Sequence, residues 1–355
     1  MLMFGVRSRA HAVRCLGVKD GEDGPFHCAS RRCPCGSYLE PRLNSTLVCT
    51  IGSVRGGSAA VESLAANLLA PLSADLGVLT NYLTRSDHPL LRLATHVWRV
   101  PEYSDWEQLV NETVTPFDPT WRRRVRFTPN LWGPLHDVPG SGAIIFSLRL
   151  VLLRFLDALP GAVYHTLVLT RTDHIYACAH PRLSPARGEV FVQSGQGAEV
   201  HGAGAVSDRH IVSAFDERQR VLAVLPWLVH MHPDSLDAPE IVLGHFFAAG
   251  GLAVRRFPRV AFTVRQMNLG GGGADASRWN SGAGDSLPCR RGLLVKYVDE
   301  YEQAVQTCHS EPCECRPKED AYEACATINQ SACRARHWAR YYCAGHCAVG
   351  CFARG

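Results

Sequence analysis

Between Thr46 and Asn81 the chain runs through TLVCTIG, a loop SVRGGS, a stretch with Val61, Leu64, Ala65, Leu68, Leu69 and Leu72 at helical spacing, and DLGVLTN. The two apolar runs are β-rich and short. Ser58 stands where it can cap the intervening helix. A strand, a helix and a strand within about 35 residues describe a right-handed crossover between parallel strands. Few folds accept such a unit at their start, and nearly all of them are α/β.

The alternation continues. ATHVWRV predicts a third strand and DWEQLVNETV a short helix. SGAIIFSLRLVLLRFLDAL puts Ile144, Ile145, Leu148, Val151, Leu152, Phe155 and Leu156 on one side of a long helix that Pro160-Gly161 ends. HTLVLT is a fully apolar strand. A Gly-rich span, 188–206, leads to Ser207-Asp208-Arg209-His210, then a helical stretch to about Leu225, a helix opening at Pro239-Glu240, and a strand VAFTVR. The fold class expected from this alternation is α/β: a single domain over residues 46–268, with a mostly parallel sheet. Residues 1–45 read as an irregular stem or leader, 269–286 as a Gly-rich linker and 287–355 as a small Cys-rich C-terminal module.

In an open parallel sheet, ligands lie beyond the carboxyl ends of the strands. Three places are expected to meet there: the Gly52 to Gly57 loop, Arg171-Thr172-Asp173, and the loop carrying Asp208. Each has what a diphosphate needs. Gly52 and Gly56-Gly57 permit close backbone approach beside a helix start, Arg55 and Arg171 offer guanidinium forks, and Asp173 offers oxygen to a divalent ion. The loop is neither a Walker motif nor G-x-G-x-x-G. Structural roles compete at each residue: Arg171 with Asp173 as a strand-end ion pair, Asp208 as a helix cap, Glu240 as a first-turn carboxylate after Pro239. His174, His180 and His210 read as polar packing, and Trp98, Trp106 and Trp132 as core.

The ordered set IGSVRGG, SLAANLLAPLSADLGVLT, VWRVPEYSDW, GSGAIIFSLR, YHTLVLTRTDHIYACAHP, AVSDRHIVS and PEIVLGHFFAAGGLAVRR resembles a glycosyltransferase-like family of algae and other protists. That family is similar in layout to GT-A-type nucleotide-sugar transferases. The resemblance spans residues 46 to about 265. It implies a GT-A-like (Rossmann-like) domain, a nucleotide-sugar donor and a glycan or glycoprotein acceptor. On the donor side it places Gly52, Arg55, Arg171 and Asp173, with Asp173 binding the donor ribose or a Mn2+ or Mg2+ ion. Arg209 falls on the acceptor side, where Asp208 is first choice, and Glu240 second, for orienting or deprotonating the acceptor hydroxyl. Only one carboxylate stands where an Asp-x-Asp metal motif is usual. The rival readings are a sulfotransferase-like enzyme gripping a nucleotide phosphosulfate at the Gly52 loop, and a non-catalytic carbohydrate-binding or interaction protein.

Fifteen cysteines set the expected compartment. Cys178 and Cys289 stand alone, and eight crowd 308–351. Disulfides are favoured there over zinc on Cys343, His346, Cys347 and Cys351. With sequons at Asn44, Asn111 and Asn329, this suggests the secretory pathway, in particular the Golgi lumen, although residues 1–20 hold no apolar stretch of signal-peptide length. Net charge is +4 and the basic residues are scattered, which argues against nucleic acid. No apolar segment is long enough to cross a bilayer as a helix; Ala143 to Leu156 is interrupted by Arg149 and Arg154.

Overall fold

The computed structural model describes residues 46–52, 54, 56–82, 84–103, 105–124, 142–159, 164–195, 204–231, 238–266, 287–289 and 293–310. The chain is mixed α/β, built on a large, mostly parallel seven-stranded sheet, as the alternation in the sequence leads one to expect. In chain order the strands are β1 (Thr46–Ile51), β2 (Asp75–Asn81), β3 (His96–Val100), β4 (Thr166–Thr170), β5 (His174–Tyr176), β6 (Glu189–Gln193), β7 (Ile211–Ala214), β8 (Ala253–Phe257), β9 (Ala261–Gln266), β10 (Leu287–Cys289) and β11 (Leu293–Val295). The large sheet has the order β3-β2-β1-β4-β7-β6-β8. Its β1, β2, β3 and β4 are parallel, while β7 runs against both β4 and β6. A small antiparallel sheet has the order β10-β11-β9-β5.

Strand alternation covers both faces of the large sheet. Leu47 and Cys49 of β1, Leu79 of β2 and Leu167 and Leu169 of β4 pack into one cluster with the helix Gly142–Asp157. Val48, Val78 and Val168 point the other way, onto Val61, Leu64 and Leu68 of the crossover helix. That helix starts at Gly57 with Gly56 as N-cap, so Ser58 lies inside it and caps nothing. A π-helical turn, Ala65–Leu69, carries it on to Leu72. Asn67 within the turn donates to the Tyr176 carbonyl at 2.7 Å, and its own carbonyl accepts from His180 N at 2.7 Å, which ties the crossover to β5.

The second half departs from the expected pattern. The helical stretch expected directly after His210 starts later: β7 begins at Ile211, and helical turns start at Phe215 and Arg218. β6 lies in the stretch read as a Gly-rich loop, and β8 follows the helix Pro239–Ala249. The strand VAFTVR belongs to the small sheet as β9. Tertiary pairing decides these segments, because each is a four- to six-residue run with too few periods to distinguish strand from helix or loop.

Beyond the Gly-rich stretch, β11 pairs with β9, and the helix Val298–Cys308 packs Val298, Tyr301 and Ala304 against Ile175, Phe262 and Val264. Cys178, isolated in sequence, forms a disulfide with Cys308. Residues 1–45, 269–286 and 311–355, with Arg55, Trp132, the sequons at Asn44 and Asn329 and the set Cys343, His346, Cys347 and Cys351 in the tail, lie outside the described residues. Among the described residues, no helix is long and apolar enough to cross a membrane.

Candidate active site

The chain leaves β1 toward β2 and β3 on one side and returns to β4 on the other, so β1 and β4 flank a switch point. Gly52 follows β1, and Arg171-Thr172-Asp173 follows β4. Beyond these strand ends lies a cavity of about 470 Å³ lined by, among others, Gly52, Arg171, Asp173, Asp208, Arg209 and Glu240. Every candidate site residue that the structure describes therefore meets in one cleft, although Gly52 and Asp208 are 156 positions apart in the chain (208 − 52). Trp106, half-buried, also lines it, whereas Trp98 is buried in the core between His96 and Phe155.

Local chemistry explains the convergence. Gly52 has φ +100, a conformation L side chains rarely adopt, and its N–H donates to the Leu79 carbonyl at 2.9 Å, turning the chain across the end of β2. Gly56 lies so close to the β4 loop that a Cβ there would sit 2.8 Å from the Thr172 carbonyl oxygen and 3.0 Å from Asp173 Cα. The two loops touch because that position has no side chain.

Arg171 and Asp173 bind each other in a two-pronged ion pair: Nε donates to Oδ1 and Nη2 to Oδ2, both at 2.7 Å. The strand-end pairing weighed from the sequence is thus present, and it faces the cleft. The carboxylate lies behind, 8% exposed, and the guanidinium in front, 28% exposed. Burial works against the Arg171 charge, but Asp173 outweighs it and holds the guanidinium above its ordinary value. These residues fit a divalent ion poorly. Both Asp173 oxygens already accept from a cation, and two unit charges about 4 Å apart repel by roughly 4 kcal/mol at an effective dielectric near 20, with a divalent ion doubling that. Among the described residues, no group of three or more His, Cys, Asp or Glu side chains is placed to hold a metal.

On the opposite wall, Asp208 precedes a strand rather than a helix, so it is not a helix cap; Glu240 sits in the first turn of its helix, after Pro239, as expected. The Glu240 carbonyl accepts from Val206 N at 2.9 Å and joins the two loops. Arg209 donates to Glu300 Oε1 at 2.5 Å, and its guanidinium carbon lies 4.0 Å from the centre of the Tyr297 ring. Tyr297 and Lys296, from the chain beyond the Gly-rich stretch, complete the wall.

Three contributors were missed by sequence reasoning. Arg149 had been read as an interruption of an apolar helix. It lies on the same stripe as Ile145 and Leu152, is 2% exposed, donates through Nη2 to the Asp208 carbonyl at 2.5 Å, and leaves Nη1 without a hydrogen-bond partner among the described residues. Burial lowers its pKa, with Asp208 and Glu240 acting the other way. The signal was available: a lone arginine on the apolar stripe of a helix needs a buried partner, and Arg154, off that stripe, is exposed. Lys296 and Tyr297 carried no comparable signal.

Beneath the cleft lies a histidine network. His180 Nδ1 lies 2.7 Å from the Pro181 carbonyl, which can only accept, so Nδ1 donates; in the neutral ring Nε2 then accepts from His210 Nε2 at 2.9 Å, leaving His210 Nδ1 to accept from the Thr170 hydroxyl at 3.1 Å. The expected packing role of these histidines is what the structure shows.

The fold and site define a mixed α/β protein with a cleft at the switch point of a mostly parallel sheet, in which charged side chains stand among apolar ones. No protein-family model matches the chain, and no curated protein matches it. Among solved structures, that of mouse xyloside xylosyltransferase 1 in its apo form is similar over 61% of this chain and 85% of its own, at a TM-score of 0.34 and 10% sequence identity. A likeness of that strength settles no function.

Proposed function

We propose that this protein is a glycosyltransferase that moves a sugar from a nucleotide-sugar donor to a glycan or protein acceptor. The observation that carries the reading is the meeting of a guanidinium face, Arg171, with two further carboxylates, Asp208 and Glu240, across one cleft at the sheet's switch point. Such a cleft places a cation where a diphosphate leaves and a carboxylate where a hydroxyl attacks.

In this reading the acceptor oxygen bonds to the anomeric carbon as that carbon's bond to the diphosphate breaks. The electron pair leaves with the diphosphate, whose growing charge Arg171 stabilises. The acceptor proton passes to Asp208, with Glu240 as the second choice. Arg149 holds the Asp208 backbone from behind and keeps an N–H for a sugar oxygen. Asp173 fixes the Arg171 fork. Mixed donors and acceptors with an aromatic wall, Trp106 and Tyr297, suit a sugar nucleotide better than an apolar ligand. The Cys178–Cys308 disulfide supports a compartment that permits disulfides, and we place the protein in the secretory pathway.

The test is a panel of UDP- and GDP-sugars with protein from a secretory host, read as free sugar released and as transfer to glycan acceptors. Turnover of one donor, lost in Asp208→Asn, supports the reading. Binding of a donor without hydrolysis or transfer points instead to a carbohydrate-binding protein, and turnover of a nucleotide phosphosulfate alone to a sulfotransferase.

A further inference from the structure

Taking the cleft as the donor site proposed above, we infer that the donor's diphosphate binds to a fixed side-chain cation, Arg171 clamped from behind by Asp173, with no bound divalent ion. The pair is oriented for this. Asp173 engages Nε and one hydrogen of Nη2, so three of the five N–H bonds of Arg171 are not directed to it. The guanidinium is the more exposed partner and lines the cleft. An arginine held along one edge of its guanidinium loses little freedom when it grips an anion, and its planar shape matches two phosphoryl oxygens.

The surroundings agree. Lys296 lines the same cavity and adds a second positive charge on the side of Tyr297. The described cleft has four cationic side chains, Arg149, Arg171, Arg209 and Lys296, against three carboxylates, Asp173, Asp208 and Glu240. Arg209 is matched by Glu300 behind the wall. That leaves three cations against three carboxylates in the lining, so the positive face beyond β4 is a local one, made by the more exposed guanidinium of Arg171 together with Lys296, and it needs no metal. A divalent ion at Asp173 would have to displace the guanidinium or sit against it.

Calorimetric titration of the full chain with UDP and with GDP, in EDTA and again in Mn2+, tests this. The expected result is one nucleotide binding with the same affinity in both buffers. Arg171→Met should weaken that binding by on the order of 10- to 100-fold in EDTA, the loss of a charge-assisted contact. Arg171→Lys, which keeps the charge and can still pair with Asp173, should fall between the two because it has no fork; should the methionine variant not fold, Arg171→Lys binding as tightly as the unaltered chain overturns the inference. Binding that appears in Mn2+ and vanishes in EDTA also overturns it, and leaves the glycosyltransferase reading in place. No binding of either nucleotide in either buffer overturns that reading, and this inference with it.

Discussion

Arg209 Nη1 donates to Glu300 Oε1 at 2.5 Å across 91 residues of chain, from the cleft wall to a helix that follows the Gly-rich stretch. Glu300 is fully buried, takes a second cation, Arg259, at 3.3 Å, and accepts the Thr263 N–H at 2.9 Å through its other oxygen. Burial pushes its carboxyl up, but Arg209 and Arg259 outweigh burial and bring it down to about 2. Glu300→Ala leaves two guanidinium groups facing an empty site and should cost about 3–5 kcal/mol. Urea unfolding of the variant measures it, and a loss below about 1 kcal/mol would show that water relieves the site.

Asp173 and Asp157 make a matched pair of substitutions. Asp157 accepts from Arg218 Nε at 2.8 Å and Gln219 Nε2 at 2.7 Å on the surface, far in chemistry from the cleft. Asp157→Asn should leave transfer unchanged and cost no more than about 1 kcal/mol. Asp173→Asn releases the Arg171 fork and should lower transfer by about 100-fold or more, the scale of a misplaced catalytic group. Equal turnover in the two folded variants would rule out a role for the pair.

Gly56→Ala and Gly52→Ala separate contact from strain. A Cβ on Gly56 meets Ala60 and the Thr172-Asp173 backbone, so the β1 and β4 loops must part; a loss of about 1–3 kcal/mol in stability and weaker nucleotide binding are expected. A Cβ on Gly52 meets nothing within 4 Å, and its cost is the positive φ alone, about 1–2 kcal/mol. Melting temperatures and nucleotide titrations distinguish the two: Gly56→Ala should lower affinity through the parted loops, Gly52→Ala through a methyl in the cleft that Gly52 lines, and unchanged affinity in both would remove these glycines from the donor side.

Acid should destabilise the protein in two windows. Burial lowers His174 and His180 to about 4, and lowers His210 well below its ordinary value, with charge on His180 next in order. A folded histidine with a depressed pKa stays neutral while the unfolded one takes up a proton near 6.5. Stability is therefore complete above about pH 7 and falls as pH drops from 6.5 toward 4, by about 1.4 kcal/mol per pH unit for each such histidine. Glu300 acts lower down, its contribution present above its unfolded value and lost as pH falls toward about 2. Denaturant midpoints measured from pH 8 to 4 should show the first window. A flat profile from pH 7 to 5 would mean that the network accepts protons without cost.

Cys308→Ser opens a loop closed over 130 residues, and the chain-entropy estimate for a loop of that order is about 4–5 kcal/mol. Lys296 and Tyr297 precede the helix that this disulfide anchors, so nucleotide affinity should fall along with stability. Non-reducing mass spectrometry should recover the Cys178–Cys308 peptide pair. An unchanged melting temperature on reduction would show that the helix holds by packing alone.

By itself the sequence determined the parallel half of the fold and most of the cleft. The crossover from Thr46 to Asn81 and the long helix Gly142–Asp157 carry enough periods of one pattern to fix their type, the short apolar run of β4 is marked as a strand by its place after that helix, and the carboxyl ends of β1 and β4 follow from strand direction. That is why Gly52, Arg171, Asp173, Asp208, Arg209 and Glu240 could be named together. Only the tertiary structure decided the remainder. β6, β7 and β8 are short runs whose identity as strands comes from their neighbours in the sheet. Tyr297 and Lys296 reach the site, and the Cys178–Cys308 link forms behind it, through pairings between distant parts of the chain, β9 with β11 and one thiol with another, and local patterning does not encode which distant partner a strand edge or a cysteine will meet. Arg149 shows the boundary between the two: its place on an apolar stripe was written in the helix period, but the Asp208 carbonyl it serves was supplied by the fold.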